Sequence, residues 1–274
     1  MVPPTAEDAA TPLAEPPALA RERDLRTRIQ VGAAWSGVLF IVAFFAGWGL
    51  VAGFIPAPSP LKSTGDVVAY FQHNQYRIVT GCIITMGGVM FLAPFTSVLV
   101  SQMRRIEGSS RILSNTQLFS GAVTAAVATM SCLIFLVAAF RPDRNPDVTL
   151  MLSDFGFTTF IGPFAPAFAQ CLALALAIFS DRRVRPVYPR WVGYANAWSA
   201  VLFLPGPLLF YFLSGPFAWN GIAAFWIPAN AFGAWFLIMA YATVKAVREE
   251  RQELRDGYGV ERGIGVDGLR PEYL

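Results

Sequence analysis

Long stretches without a charged residue constrain this chain more than any other feature. Five such stretches occur, at residues 31–61, 78–103, 112–140, 155–180 and 191–244. A membrane-spanning helix needs about 20 mostly apolar residues. Each of the first four stretches can therefore hold one helix, and the last, with 54 residues, can hold two. The pattern predicts an all-α, polytopic membrane helix bundle with six transmembrane helices.

The rest of the chain divides around these helices. We place the spans at residues 31–54, 78–103, 116–140, 155–180, 191–213 and 221–244. Three regions follow: a tail at 1–30 that is first disordered and then basic, a transmembrane domain at 31–246, and a helix extension with a Gly-rich tail at 247–274. Only 14% of the residues are charged, against about 25% in soluble domains. The GxGxxG match at residues 263–268 lacks a preceding strand, so we interpret it as tail.

Basic residues are distributed unevenly between the two sets of connecting segments. The set that includes both termini carries 15 Lys or Arg residues near helix ends, and the other set carries four. Because basic loops stay on the cytoplasmic side, both termini are predicted to be cytoplasmic. The strong preference for Arg over Lys, with abundant Ala, is typical of a GC-rich bacterial genome and indicates the bacterial inner membrane.

The first external segment is predicted to contain a short interfacial helix. Ser63 precedes Asp66 at capping-box spacing, which favours a helix start. Val67, Tyr70 and Phe71 then fall on one face of that helix. A short helix with one apolar face suits the membrane interface.

The predicted spans lack the groups that most membrane chemistry requires. No span core contains an ionisable residue, and the chain has one histidine, His73. Cys82, Cys132 and Cys171 have no CxxC spacing, so we interpret them as buried packing thiols. These residues cannot build a bis-histidine haem site, a retinal lysine, a His-ligated metal site or a proton relay. We expect no cofactor, no metal and no nucleic-acid partner, and we favour a protein that is not an enzyme.

Prolines inside the spans are the second informative feature. The fourth span contains Gly162-Pro163-Phe164-Ala165-Pro166, the fifth contains Pro205-Gly206-Pro207, and Pro94 and Pro228 lie in the second and sixth. Proline removes a backbone hydrogen bond, and the freed carbonyl needs another partner in lipid. Breaks at similar depth in several helices suit a polar-lined internal cavity. That the prolines only shape packing is the favoured interpretation of the pattern, and the cavity is the alternative.

Two groups of candidate site residues follow. Those placed near the broken fifth span by depth form a candidate ligand cavity: Asn196, Ser199, Pro205, Gly206, Pro207, Tyr211, Asn230 and Gln170. Amides and hydroxyls in an uncharged interior suit a neutral ligand. The weaker group is an external polar cluster: Asp66, His73, Arg77, Arg141 and Asp154. His73 beside a carboxylate could perform acid–base chemistry, but solvated charges near lipid headgroups are the favoured interpretation.

Three stretches resemble a family of six-span integral membrane proteins from actinobacteria and other bacteria. They are Pro56-Ala57-Pro58-Ser59-Pro60, Gln102-Met103-Arg104-Arg105-Ile106-Glu107 and Ser214-Gly215-Pro216-Phe217-Ala218-Trp219-Asn220-Gly221. The likeness covers residues 31–244. That family has no established activity, so the resemblance implies a fold and no catalytic residue.

Four functions remain open. The first is a protein that binds a neutral lipophilic small molecule or a membrane lipid. The second is an uncoupled transporter or channel for a neutral solute, and the third is an accessory subunit that packs against a partner membrane protein. An enzyme acting at the external face is the last. An internal cavity open to one face would favour the first, a continuous pore the second, and an outward stripe of small residues the third.

Overall fold

All secondary structure in the described part of the chain is helical. The computed structural model describes residues 17–141 and 143–255, and no strand occurs in them. Their α-helices are α1 (Pro17–Phe44), α2 (Thr64–His73), α3 (Gln75–Val89), α4 (Leu92–Glu107), α5 (Ile112–Phe140), α6 (Pro146–Ile161), α7 (Ala165–Ser180), α8 (Arg190–Phe203) and α9 (Ile227–Arg255). Two π-helical segments, Phe45–Val51 and Ile222–Trp226, and a 3₁₀ helix, Gly206–Phe210, join them. Residues 1–16 of the tail that is predicted to begin disordered, and the GxGxxG match, lie outside the described residues, and α1 already begins at Pro17.

Five helical segments in the described part of the chain are long and apolar enough to cross a membrane. They are Pro17–Val51, Gln75–Glu107, Ile112–Phe140, Pro146–Ser180 and Ile222–Arg255. Four of them extend beyond a charge-free stretch at one or both ends, and Ile112–Phe140 coincides with its stretch. The last helix ends at Arg255, as expected from the sequence, with a Lys245–Glu249 ion pair of 3.7 Å on its surface.

The fifth predicted span, residues 191–213, is not a continuous helix, so a sixth membrane-spanning helix is not confirmed. Helix α8 ends at Phe203 after 14 residues, which is about 21 Å at 1.5 Å per residue against a hydrocarbon core of about 30 Å. Pro205 and Pro207 lack the N–H groups that would continue it. The five residues of the 3₁₀ helix follow, and residues 211–221 are not α-helical.

Ser36 of α1 contacts the break between α3 and α4. Pro94 lies in the first turn of α4 and cannot donate a backbone hydrogen bond. The Ser36 hydroxyl lies 2.7 Å from the Ala33 carbonyl of its own helix and 2.9 Å from the Phe91 carbonyl, which also accepts from the Phe95 backbone N–H at 3.4 Å. This contact places α1 against the break.

One end of the bundle, which we call the arginine-rich end, is held by a polar network. Asp24 near the start of α1 pairs with Arg251 near the end of α9 at 2.9 Å. Arg105 at the end of α4 pairs with Glu253 at 2.9 Å and donates to Gln102 at 2.6 Å. Buried Gln102 donates in turn to Glu250 at 2.8 Å. Both ends of the described chain therefore lie at the same face of the bundle.

The loop between α7 and α8 folds around a buried carboxylate at this end. Asp181 accepts hydrogen bonds from the Arg183 guanidinium at 3.0 Å and from the backbone N–H of Val187 at 2.9 Å. Burial alone would raise the pKa of Asp181, but hydrogen bonds from Arg183 and from the Val187 backbone outweigh it, so the pKa lies below its usual value. The ionised carboxylate is thus part of the folded loop.

The predicted short helix is present as α2. Ser63 caps it by accepting from the Asp66 backbone N–H at 3.2 Å, and its hydroxyl donates to the Asp66 carboxylate at 2.7 Å. Val67 and Phe71 are buried, and the Tyr70 hydroxyl donates to the Gly53 carbonyl at 3.0 Å. The apolar face of α2 therefore packs on the bundle. Its position in an external membrane interface stays a prediction.

Candidate ligand cavity

A cavity of about 120 Å³ lies where several helices are interrupted. Its walls come from the α6–α7 break, the end of α8, the two π-helical segments with the helices they join, and the middle of α5. Residues that line it are Phe40, Phe44, Phe45, Trp48, Ile55, Thr124, Val127, Ala128, Phe160, Ile161, Pro163, Phe164, Pro166, Ala167, Phe203, Gly206, Ala224, Phe225, Pro228, Ala229 and Phe232. None of these side chains is charged.

The breaks in two helical segments meet at one side of the cavity. A Cβ added to Gly206 would lie 3.0 Å from the carbonyl oxygen of Ile161, and one added to Gly162 would lie 2.8 Å from the Phe210 ring. Each glycine therefore lets the other broken segment approach closely. The prolines end the helices, and the glycines allow the broken ends to pack together.

The two π-helical segments also contribute to the cavity wall. Phe45 and Trp48 lie in the segment that follows α1, and Ala224 and Phe225 lie in the segment that precedes α9. A π-helix is uncommon and is often found at functional sites. Gly47 permits this geometry, because a Cβ there would lie 2.6 Å from the Gly81 carbonyl of α3.

Nine of the 21 residues that line the cavity are aromatic. Phe44 is stacked on Trp48 with centroids 5.7 Å apart at 14°, and on Phe160 with centroids 5.3 Å apart at 17°. Phe232 presents its edge to Phe44 at 69°. Trp48 and Phe160 also contact each other, with centroids 4.9 Å apart and planes tilted by 31°, so the three rings form one aromatic cluster.

One hydrogen-bond donor in the wall has no partner. Trp48 is 1% exposed, and its indole N–H makes no hydrogen bond within the described part of the chain. A buried tryptophan N–H usually finds an acceptor, and leaving one unpaired costs about 1–3 kcal/mol. The sequence does not identify Trp48 as a candidate cavity residue, so its place in the cavity wall is missed there.

A buried polar track begins at the cavity and runs along α5. The Thr124 hydroxyl, in the cavity wall, donates to the Ser120 carbonyl at 3.0 Å and accepts from Gln170 of α7 at 2.7 Å. Gln117, one turn further toward the arginine-rich end, donates to Gln170 at 3.2 Å. A void of about 10 Å³ beside Gln170 is close to the least space that holds one water.

The residues predicted for the cavity from the sequence are only partly brought together. Gly206, which stands between Pro205 and Pro207 in the chain, lines the cavity. Gln170 does not line it but borders the smaller void beside it. Tyr211 is exposed. Exposed Asn230 donates to the Trp226 carbonyl of its own helix at 2.8 Å.

Asn196 and Ser199 of α8 are buried but lie outside the cavity. Asn196 donates to the Val192 carbonyl at 2.8 Å and accepts from the Trp235 indole at 2.8 Å. Ser199 donates to the Ala195 carbonyl at 2.9 Å. Asn196 joins α8 to α9, whereas Ser199 is bonded within its own helical turn. The side of α8 on which each residue lies depends on the rotation of the helix about its axis, which the composition of the sequence does not determine.

The external polar cluster does not converge on one site. Asp66 caps α2, and His73 lies in its last turn. Arg77 donates to the Leu50 carbonyl at 3.4 Å, Arg141 lies 5.9 Å from the Phe140 ring centroid, and Asp154 is half-buried on α6. No ion pair joins any two of these five side chains in residues 17–141 and 143–255.

The three cysteines are buried and free, as predicted. Cys82 lies on α3 and Cys132 on α5, two helices that pack against each other. The described residues contain no group of three His, Cys, Asp or Glu side chains that could hold a metal ion.

Comparison with protein-family models, curated proteins and solved structures finds no match to this chain. The resemblance to a six-span bacterial family therefore stays an expectation, and functional inference depends on the geometry of the cavity.

Proposed function

We propose that this chain is a bacterial inner-membrane protein that binds a neutral lipophilic molecule, or part of a membrane lipid, in the cavity at the helix breaks. The observation that carries the proposal is the cavity itself, of about 120 Å³, walled by aromatic rings and free of charged side chains. Ligand pockets are typically apolar and concave, with few polar groups that fix orientation.

The size of the cavity limits what it holds. An engineered apolar cavity of about 150 Å³ binds benzene, so a volume of about 120 Å³ suits a single ring or the end of an acyl chain. Whole ligands of drug size occupy about 300–1,000 Å³. Any larger ligand therefore places only one end here and leaves the rest in the surrounding lipid.

The cavity can be reached from the side of the bundle. Pro163 in its wall is exposed, and Phe45, Phe164 and Phe232 are half-buried. In a membrane, this side faces lipid rather than water. A ligand dissolved in the bilayer would enter laterally at the level of the α6–α7 break.

We further propose a sixth crossing built from α8, the 3₁₀ helix and residues 211–221. Arg190 at the start of α8 donates to the Phe179 carbonyl near the arginine-rich end at 2.8 Å, and Gly206 reaches the α6–α7 break. Trp219 then donates to the Pro58 carbonyl in the first connecting segment at 2.7 Å. A path from one end of the bundle to the other supports six crossings with both termini cytoplasmic. Non-helical backbone at this depth is tolerated where protein covers it.

Thermal stabilisation by lipid tests the binding proposal. Ala167 and Ala229 line different walls, so Ala167→Leu and Ala229→Leu each add three carbons to the cavity. Ala169→Leu, two residues from Ala167 on α7, is the matched control because Ala169 is half-buried and does not line the cavity. Bacterial lipid extract should raise the melting temperature of detergent-solubilised wild type and the control. Equal stabilisation of both filled variants would count against the cavity.

The polar track supports a second candidate, passage of a small neutral solute. Thr124, Gln170 and Gln117 form hydrogen-bonding steps that lead from the cavity toward the arginine-rich end, as a wet pathway would require. Glycerol-induced swelling of proteoliposomes tests this. Transport would be favoured if wild-type proteoliposomes are more permeable to glycerol than empty liposomes and if Gln117→Leu abolishes the increase. If wild-type proteoliposomes are no more permeable than empty liposomes, ligand binding is the function that stands.

A further inference from the structure

We infer that a second copy of this chain packs, in the membrane, on the exposed face of α9 around Asn230. We call this surface the Asn230 face, and its exposed side chains are Asn230, Ala234, Leu237 and Tyr241. By 3.6 residues per turn, they lie about 160° around the helix axis from Pro228, Ala229 and Phe232, which line the cavity. Pairing on this face therefore does not cover the cavity.

Asn230 places an amide on the outer surface of the bundle, inside the depth of the membrane. It lies eight residues after the start of the last membrane-spanning segment at Ile222 and 15 residues before Lys245, the next charged residue. The second separation is about 22 Å along a helix, which falls within a hydrocarbon core of about 30 Å. The acyl chains that surround this position offer no hydrogen-bonding group.

The hydrogen-bonding capacity of this amide is only partly used. One N–H donates to the Trp226 carbonyl at 2.8 Å, whereas the second N–H and the side-chain oxygen make no hydrogen bond within residues 17–141 and 143–255. An amide that faces hydrocarbon without partners is costly. A donor and an acceptor supplied from outside the chain at this depth would therefore stabilise it.

The other amides deep in the bundle show how this chain uses such groups. Asn196 of α8 accepts from the Trp235 indole of α9 at 2.8 Å, and Gln117 of α5 donates to Gln170 of α7 at 3.2 Å. Asn196, Gln117 and Gln170 are all buried, and each hydrogen-bonds to a neighbouring helix. Asn230 has the same chemistry on the outward side of α9, so it can bond to a helix that comes from another chain.

Symmetry identifies that other chain as a second copy. If a two-fold axis along the membrane normal relates two copies, Asn230 of one copy lies at the depth of Asn230 of the other. An amide both donates and accepts, so each Asn230 can donate its second N–H to the oxygen of the other. Ala234, one turn away, is small enough to let the two helices approach closely. The spacing of four, three and four residues along the face suits helices that cross at about 20°.

Energy transfer between labelled chains in liposomes tests the pairing. A cysteine introduced at exposed Ser109 carries the donor or acceptor dye, and the natural cysteines are buried. Dilution of the protein with lipid then yields a dissociation constant for the pair. Asn230→Leu should raise this constant about tenfold, equivalent to about 1.4 kcal/mol, although leucine makes the face more apolar. Ala234→Leu should raise it as well, because the larger side chain holds the helices apart.

Asn115→Leu and Ala126→Leu are the matched controls, because they make the same two changes at exposed positions of α5. Both should pair with the dissociation constant of wild type. In excess detergent, where the chains are separated, Asn230→Leu should melt at the temperature of wild type. Weaker pairing of that variant would then reflect the lost amide and not a damaged fold.

Oxidative cross-linking in native membranes tests the identity of the partner. Ala234→Cys should form a disulfide-linked dimer of this chain, whereas Ala126→Cys should not. Energy transfer in wild type no greater than that of randomly distributed chains would overturn the inference. Equal dissociation constants for Asn230→Leu and Asn115→Leu, or an Ala234→Cys protein that does not cross-link, would overturn it too. Ligand binding in the cavity would stand in each of these cases, because stabilisation by lipid extract tests it separately.

Discussion

Gly206 lies against the carbonyl of Ile161, so closely that a Cβ on Gly206 would sit 3.0 Å from that oxygen. The contact joins the end of α8 to the break between α6 and α7. Both breaks follow from prolines, but their meeting follows from the missing side chain. This contact closes one side of the cavity, and a single methyl group added at Gly206 would disturb it.

Gly206→Ala should lower stability by about 1 kcal/mol and Gly206→Val by about 1–3 kcal/mol, because overpacking forces the backbone apart. Gly87→Ala is the control: Gly87 is in α3, and a Cβ there meets nothing within 4 Å, so helix propensity should make that variant neutral or more stable. Melting temperatures in one detergent provide the comparison. A Gly206→Ala protein as stable as Gly87→Ala would show that the two breaks do not pack as described.

Asn196 provides a test of the polar contacts that lie outside the cavity. Asn196→Leu removes the acceptor of the Trp235 N–H, so we expect a loss of about 1–3 kcal/mol for the unpaired group, with lipid-dependent stabilisation unchanged. Asn230→Leu alters an exposed amide bonded to its own helix and should change stability by no more than about 0.5 kcal/mol. Loss of lipid stabilisation in Asn196→Leu would place Asn196 at the ligand instead.

Asp181 predicts a pH dependence with a definite sign. Its pKa is lower when folded than when unfolded, so its contribution is present above the unfolded pKa of about 3.9 and is lost as pH falls through the folded pKa. Asp181→Asn should therefore be less stable than wild type at pH 7, by about 1–3 kcal/mol. The difference should shrink as pH is lowered below about 4. A constant difference from pH 7 to pH 3, by thermal melting, would mean that the ionised form is not favoured in the fold.

Labelling of single cysteines with an impermeant thiol reagent tests the six crossings. Cysteines introduced at Ser59 and Ser214 should label in intact cells, because the Trp219–Pro58 hydrogen bond places the two segments at one end. A cysteine at Ser109, which is exposed between α4 and α5, should label only after permeabilisation. The natural cysteines are buried, so background should be low. If the cysteine at position 59 is labelled in intact cells and the cysteine at position 214 is not, the result would support five crossings instead of six.

The sequence predicts the helices well where one force dominates. Helix α5 has neither charge nor proline over 29 residues, so hydropathy alone determines it. For α8, Pro205 and Pro207 account for the end of the helix at Phe203. The packing of Gly206 against Ile161 is a tertiary contact that no local pattern shows. The sequence predicts a polar-lined cavity, whereas the side chains that line the cavity in the structure are apolar apart from Thr124 and Trp48, and most of the predicted polar residues lie elsewhere. Asn196 lies on a helix with apolar residues on every side, so its rotation, and hence its partner Trp235, depends on tertiary packing. Trp48 is missed for the same reason.

The most direct test of the account is native mass spectrometry of gently extracted protein. We predict that wild type and Ala169→Leu each retain one lipophilic molecule per chain, because their cavity is open, and that Ala167→Leu and Ala229→Leu lose it. Retention in all four proteins would place the ligand elsewhere, and wild type that carries no bound molecule would contradict the central claim that the cavity at the helix breaks is a binding site.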